Sequence, residues 1–559
     1  MRHTANFRWK GLRMNQRQRF LRVFSFACCC AFLLCSAQGW AATPAQAAAS
    51  NVQSSAKSAP LSQEYLLLGT PNRGAGEPWV VVNPKDPDNI LVVAMATLNR
   101  LPSGEPPMPM PAKRTWNSPW TQLRIKELSV PNGSLTDTAV TRDGGKTWKF
   151  GQDAFRSTLK KNRCSDSFAG AGANGTLYYG CLAYLNPGAA DYADGYAPDG
   201  EARFYHGGSA IAWSTDKGAT WSQPVWVHPE GHPSLYPTVH PVFEQASPVD
   251  RPVFVQDAST GTIYVSSIGF VYTVDPKTVP RPEVNPKLPG KGYDGLPPAN
   301  DIRFVTFIRA SHDGGHTWGD IYPLDESNYP GFVGIYGFTA AFGHLVIAYN
   351  AQSVPASMHA NCPCAVLGIS QNDGKSLRYS LIPPLPAATN AKGTPRAFGL
   401  AAGVMIAADP MKQGRYAVAR QAGSQIFISL TNDSGKSWQH PVLAAQLPPG
   451  AKFGHLAMKY SSSGDLGLIW QAIYPGGSFD MWSSASLDNA NTFHTVRISH
   501  AISPPCNPDR CNFLLGNDLS SMTLDKKYLY AVWGDNRSGF EGTWFGRVPL
   551  SAYKGKSNE

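Results

Sequence analysis

Thr141-Arg142-Asp143-Gly144-Gly145-Lys146-Thr147-Trp148 is one copy of an octet that recurs along the chain. Ser214 to Trp221, Ser311 to Trp318 and Thr431 to Trp438 repeat its pattern, Ser/Thr-x-Asp-x-Gly-x-Ser/Thr-Trp, in full. Two copies are decayed: Ser370 to Leu377 carries Asn372 at the Asp position, and Ser486 to Phe493 carries Asp488 but has Ala490 for Gly. A short acidic side chain accepts bonds from backbone N–H groups just ahead of it, and Gly permits the reversal, so the octet predicts a self-bonded turn between two strands. The closing aromatic opens the next strand and packs between neighbouring sheets. Asp143, Asp216, Asp313, Asn372, Asp433 and Asp488 are therefore read as structural residues.

Between the octets runs a looser repeat of paired strands. Glu77-Pro78-Trp79-Val80-Val81-Val82 leads into Ile90 to Ala96, and Arg251-Pro252-Val253-Phe254-Val255 leads through Gly261 into Ile263 to Val265. Related pairs follow Asp166, Ile335, Phe398, His455 and Leu519, which makes seven units, six of them trailed by an octet. Two inner strands, a third ending at the octet and a fourth starting at its aromatic give an all-β chain: a β-propeller of seven four-stranded blades, with six blades as the alternative. The seventh unit lacks a fourth strand of its own. Tyr65 to Leu68 is predicted to supply it and close the ring, leaving no exposed sheet edge.

The first 41 residues hold seven Lys or Arg, no acidic residue and the apolar run Val23 to Leu34, the pattern of a secretory signal peptide. Residues 42–63 are rich in Ala, Ser and Pro and read as a linker, 64–549 as the propeller, and 550–559 as a polar tail. Without the leader, 42 basic residues face 39 acidic ones, so the formal charge falls from +10 to +3. That removes the case for nucleic acid as a partner. No later stretch supplies about twenty apolar residues for a membrane span. An exported protein, periplasmic or secreted, and a monomer, is expected.

Six cysteines follow the leader, and an even count in an exported chain favours disulfides. Cys164 with Cys181 and Cys506 with Cys511 are the expected local pairs, while Cys362-Pro363-Cys364 is left open between a small ring and other chemistry. His228, His232 and His240 lie in a Pro-rich loop that fits no zinc pattern, so neither a metal nor a cofactor is expected.

On its octets the chain resembles the bacterial neuraminidase (Asp-box, or BNR) repeat family over about residues 64 to 549. The resemblance implies a sialidase-like propeller with its site at the mouth of the central channel and a carbohydrate or cell-surface glycan as partner. It also implies a Phe/Tyr-Arg-Ile-Pro motif on the first inner strand, whose arginine holds a substrate carboxylate. Here the matching stretch is Ala75-Gly76-Glu77-Pro78, with glycine in the arginine place and a new carboxylate beside it.

The inner-strand starts and second-strand ends that should surround the mouth carry the candidate residues. Glu77 and Asp535, then Asp250 and Asp518, are the candidate catalytic carboxylates, because a glycosidase needs two that flank the scissile bond. Arg73, Arg251, Arg396 and Arg537 are the candidate substrate-binding guanidiniums. The competing reading is that these charges pair with one another and tie blade ends together. The functional readings are accordingly a glycoside hydrolase or sugar-binding propeller, a non-catalytic propeller for a protein or polysaccharide partner, and a polysaccharide lyase.

Overall fold

The computed structural model describes residues 62–98, 134–151, 163–184, 207–228, 243–274, 301–324, 329, 331, 333–385, 404–505 and 519–554. Within them lie seven four-stranded antiparallel sheets, each in simple up-and-down order. Their innermost strands are β2 (Arg73–Asn83), β6 (Arg163–Ala171), β10 (Phe243–Gln256), β14 (Phe338–Ala341), β18 (Val404–Ala408), β22 (Lys452–Tyr460) and β26 (Ser520–Leu524). Each packs against the innermost strands before and after it, and β26 packs against β2. The sheets therefore form a closed ring of seven blades around an axis.

Closure follows the route expected from the sequence. The seventh sheet runs β26, β27 (Tyr528–Asp535), β28 (Gly542–Pro549), and its outer strand is β1 (Gln63–Leu68) from the other end of the chain. Tyr65 pairs with Phe545 and Leu68 with Thr543. The ordered chain also passes beyond Pro549, the expected end of the propeller: Leu550 to Tyr553 make a 3₁₀ turn. Leu550 and Tyr553 are apolar enough to bury beside Val496, Ile498 and Val548, and the Tyr553 and Ser483 hydroxyls share a 2.6 Å hydrogen bond.

Alternating apolar residues on the second strands fill the spaces between blades. Ile90, Val92 and Ala94 face the seventh blade's Val532 and Phe545, while Leu91 and Val93 join the cluster that runs on through Phe168, Ile211 and Val265. Packing is tight enough to require glycine at Gly180, where a Cβ would sit 2.3 Å from both the Ala210 carbonyl oxygen and the Phe168 ring. Cys164 and Cys181 form a disulfide between the first two strands of the second blade, as expected. Cys362 and Cys364 are bridged to each other. Cys506 and Cys511 lie outside the described residues.

The octets form the self-bonded turns their residues predict. Asp143 Oδ1 accepts from the backbone N–H of Lys146 and Thr147 at 3.0 and 2.9 Å, and Oδ2 accepts from the Thr147 hydroxyl at 2.6 Å. The Thr141 hydroxyl donates to Asp143 and accepts from Gly145 N–H. Asp216, Asp313, Asp433 and Asp488 repeat the arrangement, and Asn372 reproduces its backbone bond with Ser376. Gly145, Gly218, Gly315, Gly374 and Gly435 occupy left-handed conformations at the fifth position, and in the sixth copy Ala490 adopts the same conformation at φ 65°.

The turns also lace blades together. Trp148 Nε1 donates to the Tyr65 hydroxyl at 2.9 Å, and Arg142 donates to the carbonyl of Asp216 in the next blade. Bonds to the ionised form hold the octet carboxyls below the usual range, to about 2 at Asp433, where the Ser437 hydroxyl is the largest cause. Asp313 also falls to about 2: burial, its largest influence, raises it, and the Thr317 and Ser311 bonds together outweigh that. Groups with lowered folded values stabilise above the unfolded value of 3.8, and that contribution is lost as pH falls through the folded value. Melting temperature is therefore expected to fall between about pH 4 and pH 2, and the combined Asp313→Asn and Asp433→Asn variant to show a shallower fall over that window. Thermal melts at half-unit pH steps check it; parallel curves for variant and parent would reject the assignment.

Candidate functional site

Four innermost strands carry the same irregularity at the same place. In β2 the pairing with β3 (Asp86–Leu98) jumps between Gly76 and Trp79, so Glu77 and Pro78 together oppose Ala94. In β6 the jump leaves Asp166 and Ser167 opposite Cys181, in β10 Arg251 and Pro252 opposite Ser267, and in β22 His455 and Leu456 opposite Trp470. These are β-bulges, which bend a strand and re-aim a side chain.

The first residue of every one of these bulges is left-handed: Glu77 at φ 50°, Asp166 at 44°, Arg251 at 48° and His455 at 39°. Glycine fits such a position freely, whereas an ordinary L-residue costs about 1–2 kcal/mol there. All four residues here are ionisable instead. Backbone strain that recurs with ionisable side chains in four blades makes these positions candidates for a functional site.

Three of the four bulges meet. Arg251 Nη1 lies 3.9 Å from Glu77 Oε1, with both side chains buried, and the Arg251 backbone N–H donates to Asp166 Oδ2 at 3.3 Å. One residue of the third blade thus joins carboxylates of the first and second. Tyr336, just before β14, reaches across the axis and donates to the Ser520 carbonyl of the seventh blade at 2.6 Å, while its ring lies 5.9 Å from Trp79. Burial pushes the Tyr336 hydroxyl well above the usual tyrosine range, so it remains a neutral donor.

Other candidates from the sequence sit elsewhere. Asp535 is fully buried and accepts from Arg537 Nε at 2.7 Å, from Trp533 Nε1 at 3.2 Å and from the Ser503 hydroxyl. Arg537 is held between Asp535 and Glu64 and lies 4.2 Å over the Trp544 ring. Those contacts join the second, third and fourth strands of the seventh blade. Arg73 makes a two-pronged ion pair with Asp137 within the first blade, both bonds 2.9 Å. Asp250 lies in β10 with its side chain outside the described residues, and Arg396 and Asp518 lie outside them altogether, as do His232 and His240. Among the described residues no cluster of His, Cys, Asp or Glu could hold a metal, and no helix is long and apolar enough to cross a membrane.

Asp166 and His455 stand beside Glu77 and Arg251 as inner-strand starts in the sequence, but their common conformation is not visible there. The available signal is an ionisable residue interrupting an apolar inner strand, followed in two blades by proline: Glu77-Pro78 and Arg251-Pro252.

No protein-family model and no curated protein sequence matches the chain. Similar solved structures include a protein of unknown function from Dyadobacter fermentans, 13% identical with a TM-score of 0.38, covering 88% of this chain and 99% of that one. The intramolecular trans-sialidase of Ruminococcus gnavus is 13% identical with a TM-score of 0.39, covering 71% and 97% respectively. The Trypanosoma rangeli sialidase is 13% identical with a TM-score of 0.41, covering 88% and 60%. The class defined by the sheets themselves is a seven-bladed β-propeller.

Proposed function

We propose that this chain is an exported, sialidase-like propeller that takes a glycan at the bulge end of its axis, held by Glu77, Asp166, Arg251 and His455. The observation that carries the reading is the recurrence of a left-handed, ionisable bulge residue in four innermost strands, two of them on blades one and three that meet as an ion pair. Sugars are bound by converging polar groups of both donor and acceptor type, and this set supplies both. A guanidinium flanked by two carboxylates disfavours a free anion, so neutral or amino sugars fit better than sialic acid.

A hydrolytic reading is favoured by one further feature. Glu77 and Asp166 approach the same Arg251, which gives two carboxyl groups from adjacent blades at one place, the minimum that glycoside hydrolysis requires. In this reading Glu77 and Asp166 replace the pair Glu77 and Asp535, since Asp535 holds Arg537 instead.

The test is a panel of sialosides, neutral and amino-sugar glycosides and uronate oligomers, offered to the purified chain with binding and product release measured together. Glu77→Gln and Asp166→Asn are each expected to weaken glycan binding at least tenfold, with the melting temperature kept within a few degrees. If product forms, each variant should lower its rate at least a hundredfold. Unchanged binding in both variants would remove the bulge cluster from the function.

A further inference from the structure

The axis has a second feature at its opposite end. Below Tyr336, toward the turns that join first and second strands, the channel opens into a cavity of about 640 Å³ walled by all seven innermost strands. That volume falls inside the range of about 300–1,000 Å³ usual for small-molecule sites. The walls are mainly apolar, with Trp79, Ile335, Phe338, Ile406, Met458 and Leu524 among them, and none of Glu77, Asp166, Arg251 or His455 contributes.

Into this space comes Lys459 of β22, near the end of the sixth blade's inner strand. It keeps some accessible surface, yet that surface faces the cavity and protein encloses the side chain. Among the described residues no carboxylate pairs with it. Asp257, at the end of the third blade's inner strand, is taken by Ser259, Phe342 and Gly343, and Asp525 by Lys527, Tyr528 and Tyr530. Burial without a counter-charge lowers the Lys459 ammonium to about 8. Tyr460, the next residue in the strand, turns to the opposite face, where the Arg415 guanidinium lies 6.0 Å from its ring. Lys85, Lys526 and Lys527 stand among the lining residues of the turns at the rim, together with Asp88.

We propose that this end of the axis is a binding site for a small organic carboxylate with an apolar body, its headgroup held by Lys459. An uncompensated ammonium in an apolar chamber is unfavourable, and an anionic ligand supplies the missing charge while its hydrocarbon part covers Trp79, Met458 and Leu524. The site is separate from the bulge cluster, on the far side of Tyr336, and does not depend on the glycan reading.

Octanoate and its neutral isostere octanamide are the probes, titrated calorimetrically into the full chain. Octanoate is expected to bind at a single site, with octanamide at least tenfold weaker. Lys459→Met should abolish the preference for octanoate while melting at or above the parent temperature, since it removes a buried unpaired charge; Lys459→Gln is the second variant should Met alter packing. Glycan binding at the other end should be the same in parent and Lys459→Met. Octanoate binding that is absent in the parent, or equal in parent and both Lys459 variants, would overturn the proposal.

Discussion

Arg537→Ala is expected to destabilise the chain by about 3–5 kcal/mol, the range for breaking a buried ion pair from one side. The guanidinium reaches Glu64 at 2.5 Å and Asp535 at 2.6 Å, and the two acidic side chains are 4% and 0% exposed. Its removal leaves two carboxylates facing each other in a space that water does not reach, and uncovers the Trp544 face it lies on. The loss has a definite pH signature. Burial already raises the Glu64 carboxyl above its ordinary value of 4.5, and Arg537 is the strongest influence holding it down.

A raised folded value contributes stability that is complete below the unfolded value and is lost as pH rises through the folded one. Taking Arg537 away raises the folded value further, so the deficit should be small near pH 4 and grow toward pH 7. Denaturant unfolding of parent and variant at pH 4, 5, 6 and 7 measures it. A deficit independent of pH, or below about 1 kcal/mol at pH 7, would show that the triad does not hold the seventh blade. Glycan binding by the folded variant should match the parent, which separates this cluster from the axial one.

The same residues explain what a sequence reading reaches and where it stops. The octets are legible because their chemistry is local: Asp143 bonds to Lys146 and Thr147, and everything the turn needs lies within eight residues. Blade number and the closing strand follow from the inner-strand repeat once the seventh unit is seen to lack a partner. Site assignment is harder because it depends on which charges meet across blades. Asp535-Asn536-Arg537 offers both a carboxylate and a guanidinium at a strand end. Glu64, 473 positions away in sequence, turns them into a structural triad. Glu77 and Asp166 lie on different strands and share Arg251 only because the three bulges fall at one height. Lys459 gave no signal at all: in sequence it is an ordinary lysine in an amphipathic strand, and only the closed ring leaves its ammonium without a counter-charge.

Removing the closing strand is expected to have the largest effect. A chain that begins at Thr70, compared with one that begins at Ala42, should lose on the order of 5 kcal/mol or more, most of a typical domain's stability. Leu67 and Leu68 are 7% and 6% exposed and pack with Val80 and Ile90 of the first blade. Each contributes about 1.5–3 kcal/mol by burial. Tyr65 ties the first octet through Trp148 and the Gly145 carbonyl, and the Ser62 hydroxyl donates to the Ile498 carbonyl of the sixth blade at 2.9 Å. Without β1, Arg537 also loses Glu64, and β28 becomes an open edge that invites pairing between chains. The shortened chain should therefore melt far earlier and associate as concentration rises. A synthetic peptide spanning residues 62–69 should restore both properties saturably by adding the missing strand. A shortened chain that melts within a few degrees of the longer one and stays monomeric would mean that the ring is held by its blade-to-blade packing alone.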